Sequence, residues 1–269
     1  MMIRGSISKT QTILLGVLAV GVLLAGYSGL SHRQHRKNPD DTTIPTWSQL
    51  RDGVKTVVEP NRRSGERWVL EDAKATLTRL FAGMGAGVAG AVLIGIAMGC
   101  FPCVEALLAP PLAFLAKIPP TAALAVFFVL FGTDLQMYTA MIAFGILPTL
   151  AQSLYLSVND IPDELVNKSY TLGASHGEVI WNVIARIVLP RMIDAIRLQI
   201  GPAMVYLIAA EMVCGDVGFG YRIRLQSRLL NMNVVYPYLV LLAGFGFTID
   251  STLRLLQRFG CPWFGGRGR

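Results

Sequence analysis

Apolar runs long enough to cross a bilayer constrain this chain more than any motif in it. They occupy residues 13–30, 77–99, 104–131, 135–158, 193–214 and 236–256. A backbone polar group in hydrocarbon has no water to bond, so a spanning run must close its own hydrogen bonds as a helix. About 20 residues suffice for a core of about 30 Å. The third run is broken by Lys117-Ile-Pro-Pro120, because proline removes a donor and clashes with the preceding turn. Composition agrees: 53% of residues are hydrophobic and 15% charged, against about 25% charged in soluble domains. The expected fold class is an all-α polytopic membrane protein with about six transmembrane helices. The net charge of +7 does not signal nucleic acid, since no basic stripe with interleaved aromatics is present. Basic flanks of membrane helices account for it. Cys100, Cys103, Cys214 and Cys261 make neither a disulfide framework nor a paired zinc motif. Cys100-Phe-Pro-Cys103 follows a membrane run and lacks the strand–helix setting that a redox pair needs.

Residues 1–37 read as a polar tail and a first span. A charged start and an apolar middle also fit a cleavable signal peptide, but no small-x-small site follows and the run is long. Residues 38–67, with Pro39, Pro45 and Pro60, read as an extramembrane linker holding one short amphipathic helix near 47–58. Residues 68–264 form the transmembrane core, opened by an interfacial lead-in over 68–80. Residues 265–269 read as a solvated tail, and 215–235 as a loop. Gly83-x-x-x-Gly87 and Gly95-x-x-x-Gly99 are helix-packing candidates, because glycine lets another helix backbone approach. Asp250, four residues before Arg254, reads as a helix-face ion pair.

The longest polar segment of the C-terminal half is the loop 159–191. Its residues predict two short helices around a tight joint. Asp160 is a candidate cap for the first, with Pro162, Asp163 and Glu164 in the first turn, where a missing N–H and negative charge are both favourable. Gly173 ends that helix, since glycine adopts a left-handed conformation cheaply. Ser175 with Glu178 is a capping box that starts the second. Val179, Val183 and Ile187, flanked by Ile180, Ile184 and Val188, form an apolar stripe at helical spacing, and Pro190 is expected to stop it.

Ile161-Pro-x-Glu-Leu-Val166, Thr171-Leu-Gly-Ala-Ser175 and Ile187-Val-Leu-Pro190 together resemble the cytoplasmic loop of inner-membrane permeases of bacterial ABC importers. Ala210-Glu-Met212 and Gly218-Phe-Gly-Tyr221 resemble the nitrate, sulfonate, taurine and bicarbonate branch. The resemblance covers roughly residues 45–264. Two departures stand in the loop. The family's Glu-Ala-Ala triplet is Asn167-Lys-Ser169, and thirteen residues rather than nine separate Gly173 from Ile187, about one extra helical turn.

The resemblance implies a type I importer bundle in a bacterial inner membrane, moving a small polar solute by alternating access. Its implied partners are a dimer of ABC ATPase subunits, a second permease copy in a homodimer, an external or lipid-anchored substrate-binding protein, and membrane lipid. The chain carries no Gly-Lys-Ser/Thr phosphate loop, so ATP and Mg would sit on the ATPase partner, with no cofactor bound by this chain. The ATPase-coupling candidates are Glu164, Ser169, Tyr170, Thr171, Leu172, Gly173, Ala174, Ser175, His176, Leu189 and Pro190. Candidates for the translocation path or gate are Glu211, Met212, Pro119 and Pro120. A carboxylate at 211 is costly in hydrocarbon and must face the bundle interior, a partner or water. It either lines the path or anchors the bundle, bonded to backbone or to an arginine such as Arg222.

No nucleophile–base pair or metal cluster is legible, so the chain reads as a transport subunit and not an enzyme. The loop departures and the run Gly218–Gln226 also resemble permeases associated with urea- or guanidine-degrading enzymes, which implies urea- or guanidine-like compounds as a second solute class. A secondary transporter would need internal repeats, and none is found. Six spans put both termini on one side. The loop 159–191 shares that side, cytoplasmic by resemblance, whereas the many basic residues between Arg33 and Lys74 favour the reverse orientation by charge.

Overall fold

The computed structural model describes residues 8–39, 41–60, 65 and 67–264. The polar start at 1–7 and the solvated tail at 265–269 lie outside them. All regular structure among the described residues is helical: α1 Lys9–Lys37, α2 Trp47–Val58, α3 Trp68–Cys100, α4 Pro102–Leu115, α5 Leu124–Phe131, α6 Leu135–Asn159, α7 Asp163–Thr171, α8 His176–Glu178, α9 Ala185–Cys214, α10 Phe219–Arg228 and α11 Met232–Gly260. A π-helix, Val179–Ile184, joins α8 to α9. Contacts divide the chain into two units. One holds the residues up to Arg67 together with Leu225–Tyr238, and the other holds Trp68–Arg224 and the residues from Leu239 onward.

In the first unit, α1 begins at a capping box between Ser8 and Gln11. His35, Arg36 and Lys37 fill its last turn, where cations suit the negative end of the helix dipole. The 41–46 segment folds back on α1: Tyr27 Oη donates to the Pro45 carbonyl at 2.6 Å and Trp47 Nε1 donates to Ser28 Oγ at 3.0 Å. A second capping box, Thr46 with Gln49, starts α2. Gly53 is required there, because a Cβ would lie 1.9 Å from the Asn233 carbonyl oxygen.

In the second unit, α3 packs lengthwise on α6. One stripe of α3 makes this possible. A Cβ on Gly83 would lie 2.6 Å from Ile142 Cβ, and one on Gly95 would lie 2.7 Å from the Ala151 carbonyl oxygen. Gly87 and Gly99 meet Ile146 and Val158 equally closely. The seam is lined by Met141, Ile142, Ile146, Leu150 and Leu154, all fully buried. Gly95→Leu is expected to lower the detergent melting temperature sharply, because backbone cannot move aside as a side-chain tip can. Gly85 lies on the same helix with nothing within 4 Å, so Gly85→Leu should leave melting unchanged. Equal melting of the two variants would sink the seam's role.

Among the described residues, four helices, α1, α3, α6 and α11, are long and apolar enough to cross a membrane. The helical run His176–Cys214 and α10, bent from it by 55°, pass the same length and composition test only when taken together. The third expected span is two pieces, α4 of 14 residues and α5 of 8. Lys117-Ile-Pro-Pro120 separates them, and neither alone reaches about 30 Å at 1.5 Å per residue.

Several local expectations are corrected. The lead-in over 68–80 is continuous with the span, as one α3 of 33 residues. The loop over 215–235 contains α10. Asp160 ends α6 and does not cap α7; its carboxylate is held by Arg191 at 3.0 Å, and Pro162 stands at the N-cap instead. Pro190 lies inside α9 and does not end it. A mid-helix proline costs about 3 kcal/mol. Val188 and Ala195, both buried on either side of it, offset that cost. Asp250 does pair with Arg254, at 3.3 Å, but its shorter contact is Arg197 Nε of α9 at 2.8 Å.

Candidate functional site

The joint in the loop is built by backbone chemistry. Gly173 has φ +86°. Its N–H donates to the Tyr170 carbonyl at 2.9 Å, and the next N–H, of Ala174, reaches back to the Ser169 carbonyl at 3.1 Å. That pair of bonds is a Schellman cap, which needs a left-handed residue at its centre. Ser169 and Thr171 turn their hydroxyls onto the carbonyls of Leu165 and Asn167 within α7. Leu172, the last residue before the reversal, is 87% exposed. On the far side, the Ser175 N–H and hydroxyl both donate to Glu178 Oε2 at 2.8 Å, and Ser175 Oγ accepts from the Glu178 N–H. His176 Nδ1 lies 2.8 Å from Tyr170 Oη, with the rings edge to face, so the two short helices are tied across the joint.

The Ser175 bonds hold the Glu178 carboxyl below its usual range. A depressed folded-state value stabilises the cap above the unfolded value and loses that contribution as pH falls through the folded one. The cap is thus expected to be intact at neutral pH and to fray in acid, as pH falls through the depressed value of the Glu178 carboxyl. Amide protection at residues 175–179 that stays as large in acid as at neutral pH would contradict this.

The extra turn between Gly173 and Ile187 contains the π-helix. Its i→i+5 bonding, shown by the Ala185 N–H donating to the Ile180 carbonyl, lets Val179 and Ile184 bury in the same core although five residues apart. Trp181 between them is 76% exposed. Leu189 is half-buried and Pro190 buried, while Glu164 is exposed on α7. Beneath the joint, a cavity of 560 Å³ opens among Gly99, Asn159, Val166, Tyr170, His176 and Ile180.

At the opposite end of α3 and α9 lies a buried ionic bracket. Glu211 is fully buried. Its carboxylate accepts from Thr76 Oγ1 at 3.0 Å, from an Arg79 terminal nitrogen at 2.9 Å and from the Gly220 N–H at 2.9 Å. The same Arg79 nitrogen donates to the Val217 carbonyl at 2.6 Å, and the guanidinium lies 4.2 Å over the Tyr138 ring. Thr76 relays the network, because its oxygen also accepts from the Phe219 N–H at 2.9 Å. One turn earlier on α3, Asp72, equally buried, accepts from the Gly218 N–H at 3.0 Å and from Arg222 Nε at 2.8 Å. Arg222, the arginine weighed from sequence as a partner for Glu211, is thus bonded to Asp72, while Arg79 serves Glu211.

The turn can wrap the carboxylate because it is glycine-rich. Gly218 has φ +124°, and a Cβ on it would lie 2.5 Å from Glu211 Oε1. Met212, next to Glu211, is half-buried. Pro120 is buried elsewhere, where a Cβ on Gly145 of α6 would come within 2.8 Å of its ring; Pro119 is exposed. Sequence reasoning missed Asp72, Thr76 and Arg79. Their i, i+4, i+7 spacing continues into Gly83 and Gly87 on one helical face, and that continuity was the available signal.

The family model described as binding-protein-dependent transport system inner membrane component matches residues 80–259. The chain belongs to that family. It is also 30% identical to the taurine transport system permease protein of Escherichia coli, over 97% of this chain and 93% of that relative. It is 28% identical to a putative aliphatic sulfonates transport permease protein of Bacillus subtilis, over 67% of this chain and 64% of that one. A solved structure of the MetNI methionine ABC transporter, in an inward-facing conformation, shares the fold with TM-score 0.58 at 21% identity, covering 71% of this chain and 94% of that one. This protein is therefore a multi-pass inner-membrane permease subunit of an ABC importer. It works with a separate ATPase and a substrate-binding protein, and its own task is transport and not catalysis.

Proposed function

We propose that this permease carries small sulfonates, with 2-aminoethanesulfonate (taurine) as the leading solute. The observation that carries the proposal is the identity with the taurine permease, which extends through nearly the whole of both chains. The loop 159–191 faces the cytoplasm, and two permease copies each rest on one subunit of an ATPase dimer that holds ATP and Mg. Leu172 at the tip of the joint, together with Trp181, enters the ATPase surface. What supports this is their exposure on an otherwise well-capped, rigid reversal. When the ATPase dimer closes, the loop moves as one piece, and α9, continuous with it through the π-helix, transmits the movement to the far end of the bundle.

At that far end Glu211 acts as an anchor. Both its oxygens are engaged within the bundle, which favours a structural part over a place in the path. The test is uptake of labelled taurine into proteoliposomes holding the permease, its ATPase and its binding protein. ATP-dependent accumulation that unlabelled alkanesulfonates suppress is expected. Suppression by urea or guanidinium and not by sulfonates would overturn the solute class.

A further inference from the structure

We propose that the pocket at the end of the bundle opposite the coupling loop binds a zwitterionic sulfonate, with Arg79 and Lys74 taking the sulfonate and Asp134 and Asp216 the ammonium. This deepens the reading of the solute class given above and rests on it. The pocket has a volume of 650 Å³ and is walled by three elements: the start of α3, the α5–α6 turn and the turn after α9. The ionic bracket fixes two of these walls, since Glu211 and Val217 hold Arg79 while Asp72 holds Gly218.

The charges inside the pocket are only partly spent. One terminal nitrogen of Arg79 serves Glu211 and Val217. The other meets only Asp216, at 3.7 Å, too long for a hydrogen bond, and the Asp216 side chain is 92% exposed. Asp134 stands at the N-cap of α6 yet makes no side-chain capping bond. Lys74 is exposed at the rim.

Each observation narrows the ligand. A simple anion would leave Asp134 and Asp216 repelling it, and a simple cation would meet Arg79 and Lys74. A neutral solute would use none of the four, nor Glu71, the third carboxylate of the lining. A molecule with three sulfonate oxygens at one end and an ammonium at the other satisfies both signs, since guanidinium and ammonium donors bond oxyanions strongly and carboxylates accept from ammonium. The pocket opens on the face that the proposed orientation puts outside, where a binding protein would release its cargo.

Cys214 lines this pocket and serves as a native reporter. Right-side-out membrane vesicles carrying the whole importer are treated with an impermeant, negatively charged methanethiosulfonate reagent, and Cys214→Ala sets the background. Saturating taurine is expected to slow labelling of Cys214 several-fold, and ethanesulfonate, which lacks the amine, is expected to protect less. Asp134→Asn should weaken protection by taurine about tenfold, as for one lost charge-assisted hydrogen bond, and should strengthen protection by ethanesulfonate, whose charge is then no longer repelled there. Lys74→Gln should weaken protection by both. Vesicles that accumulate taurine without protecting Cys214 would overturn the site and leave the solute class standing. Equal protection by the two solutes, indifferent to Asp134→Asn, would overturn the zwitterion assignment. Protection without accumulation would support the site and overturn the transported solute.

Discussion

Arg79→Met is expected to cost this permease about 3–5 kcal/mol, the range found when one partner of a buried ion pair is removed. The reason is not the loss of attraction but the carboxylate left behind. Glu211 is fully buried, and Arg79 is its one charged partner among the hydrogen bonds described. Deleting both charges, as Arg79→Met with Glu211→Met, should recover part of the loss. Recovery is incomplete, because the Gly220 N–H then lacks its acceptor and a buried unsatisfied donor costs about 1–3 kcal/mol. Thermal melting in detergent of the two single variants and the double variant gives the coupling directly. Additive losses would show that the pair is not a unit. Glu211→Gln separates the two roles first weighed for this residue. The anchor predicts lower stability and a modest loss of transport for every solute. Normal stability with a changed preference between charged and neutral solutes would move Glu211 into the path.

Gly173→Val is expected to abolish coupling while leaving the bundle intact. Transport and solute-stimulated ATP hydrolysis should both fall at least about tenfold. The backbone at Gly173 sits at φ +86°, and nothing lies within 4 Å of where a Cβ would stand. The penalty is therefore purely conformational, on the order of 1–3 kcal/mol for a strained left-handed residue and highest for a β-branched one. An isolated loop cannot resist that, so the Schellman bonds give way and Leu172 is re-aimed. Two controls sharpen the result. Gly173→Asn should be mild, because asparagine tolerates this conformation. Gly177→Val, at another open position without positive φ, should be close to neutral for coupling, since no left-handed backbone is required there. Normal ATP-driven transport in the Gly173→Val variant would remove the loop joint from the coupling mechanism.

What was legible in the sequence was whatever is encoded locally. Apolar run length announced α1, α3, α6 and α11, because hydrocarbon forces internal hydrogen bonding on any run long enough to cross it. The Ser175–Glu178 box and the Gly173 reversal were readable because caps are satisfied within a few residues. The glycine spacing on α3 was readable as a packing face, though not which helix would fill it.

Tertiary structure decided the rest. Pro190 should have ended a helix by local rules and does not, since burial on both sides of it outweighs the break. The actual partners of the acid at 211 were not readable, because Arg79 lies 132 positions away and Thr76 lies 135. Arg222, near in sequence, was taken by Asp72 from 150 positions away. A carboxylate's partner is set by which helices meet end to end, and that is determined by packing over the whole α3–α6–α9 seam, a long-range property with no local signature.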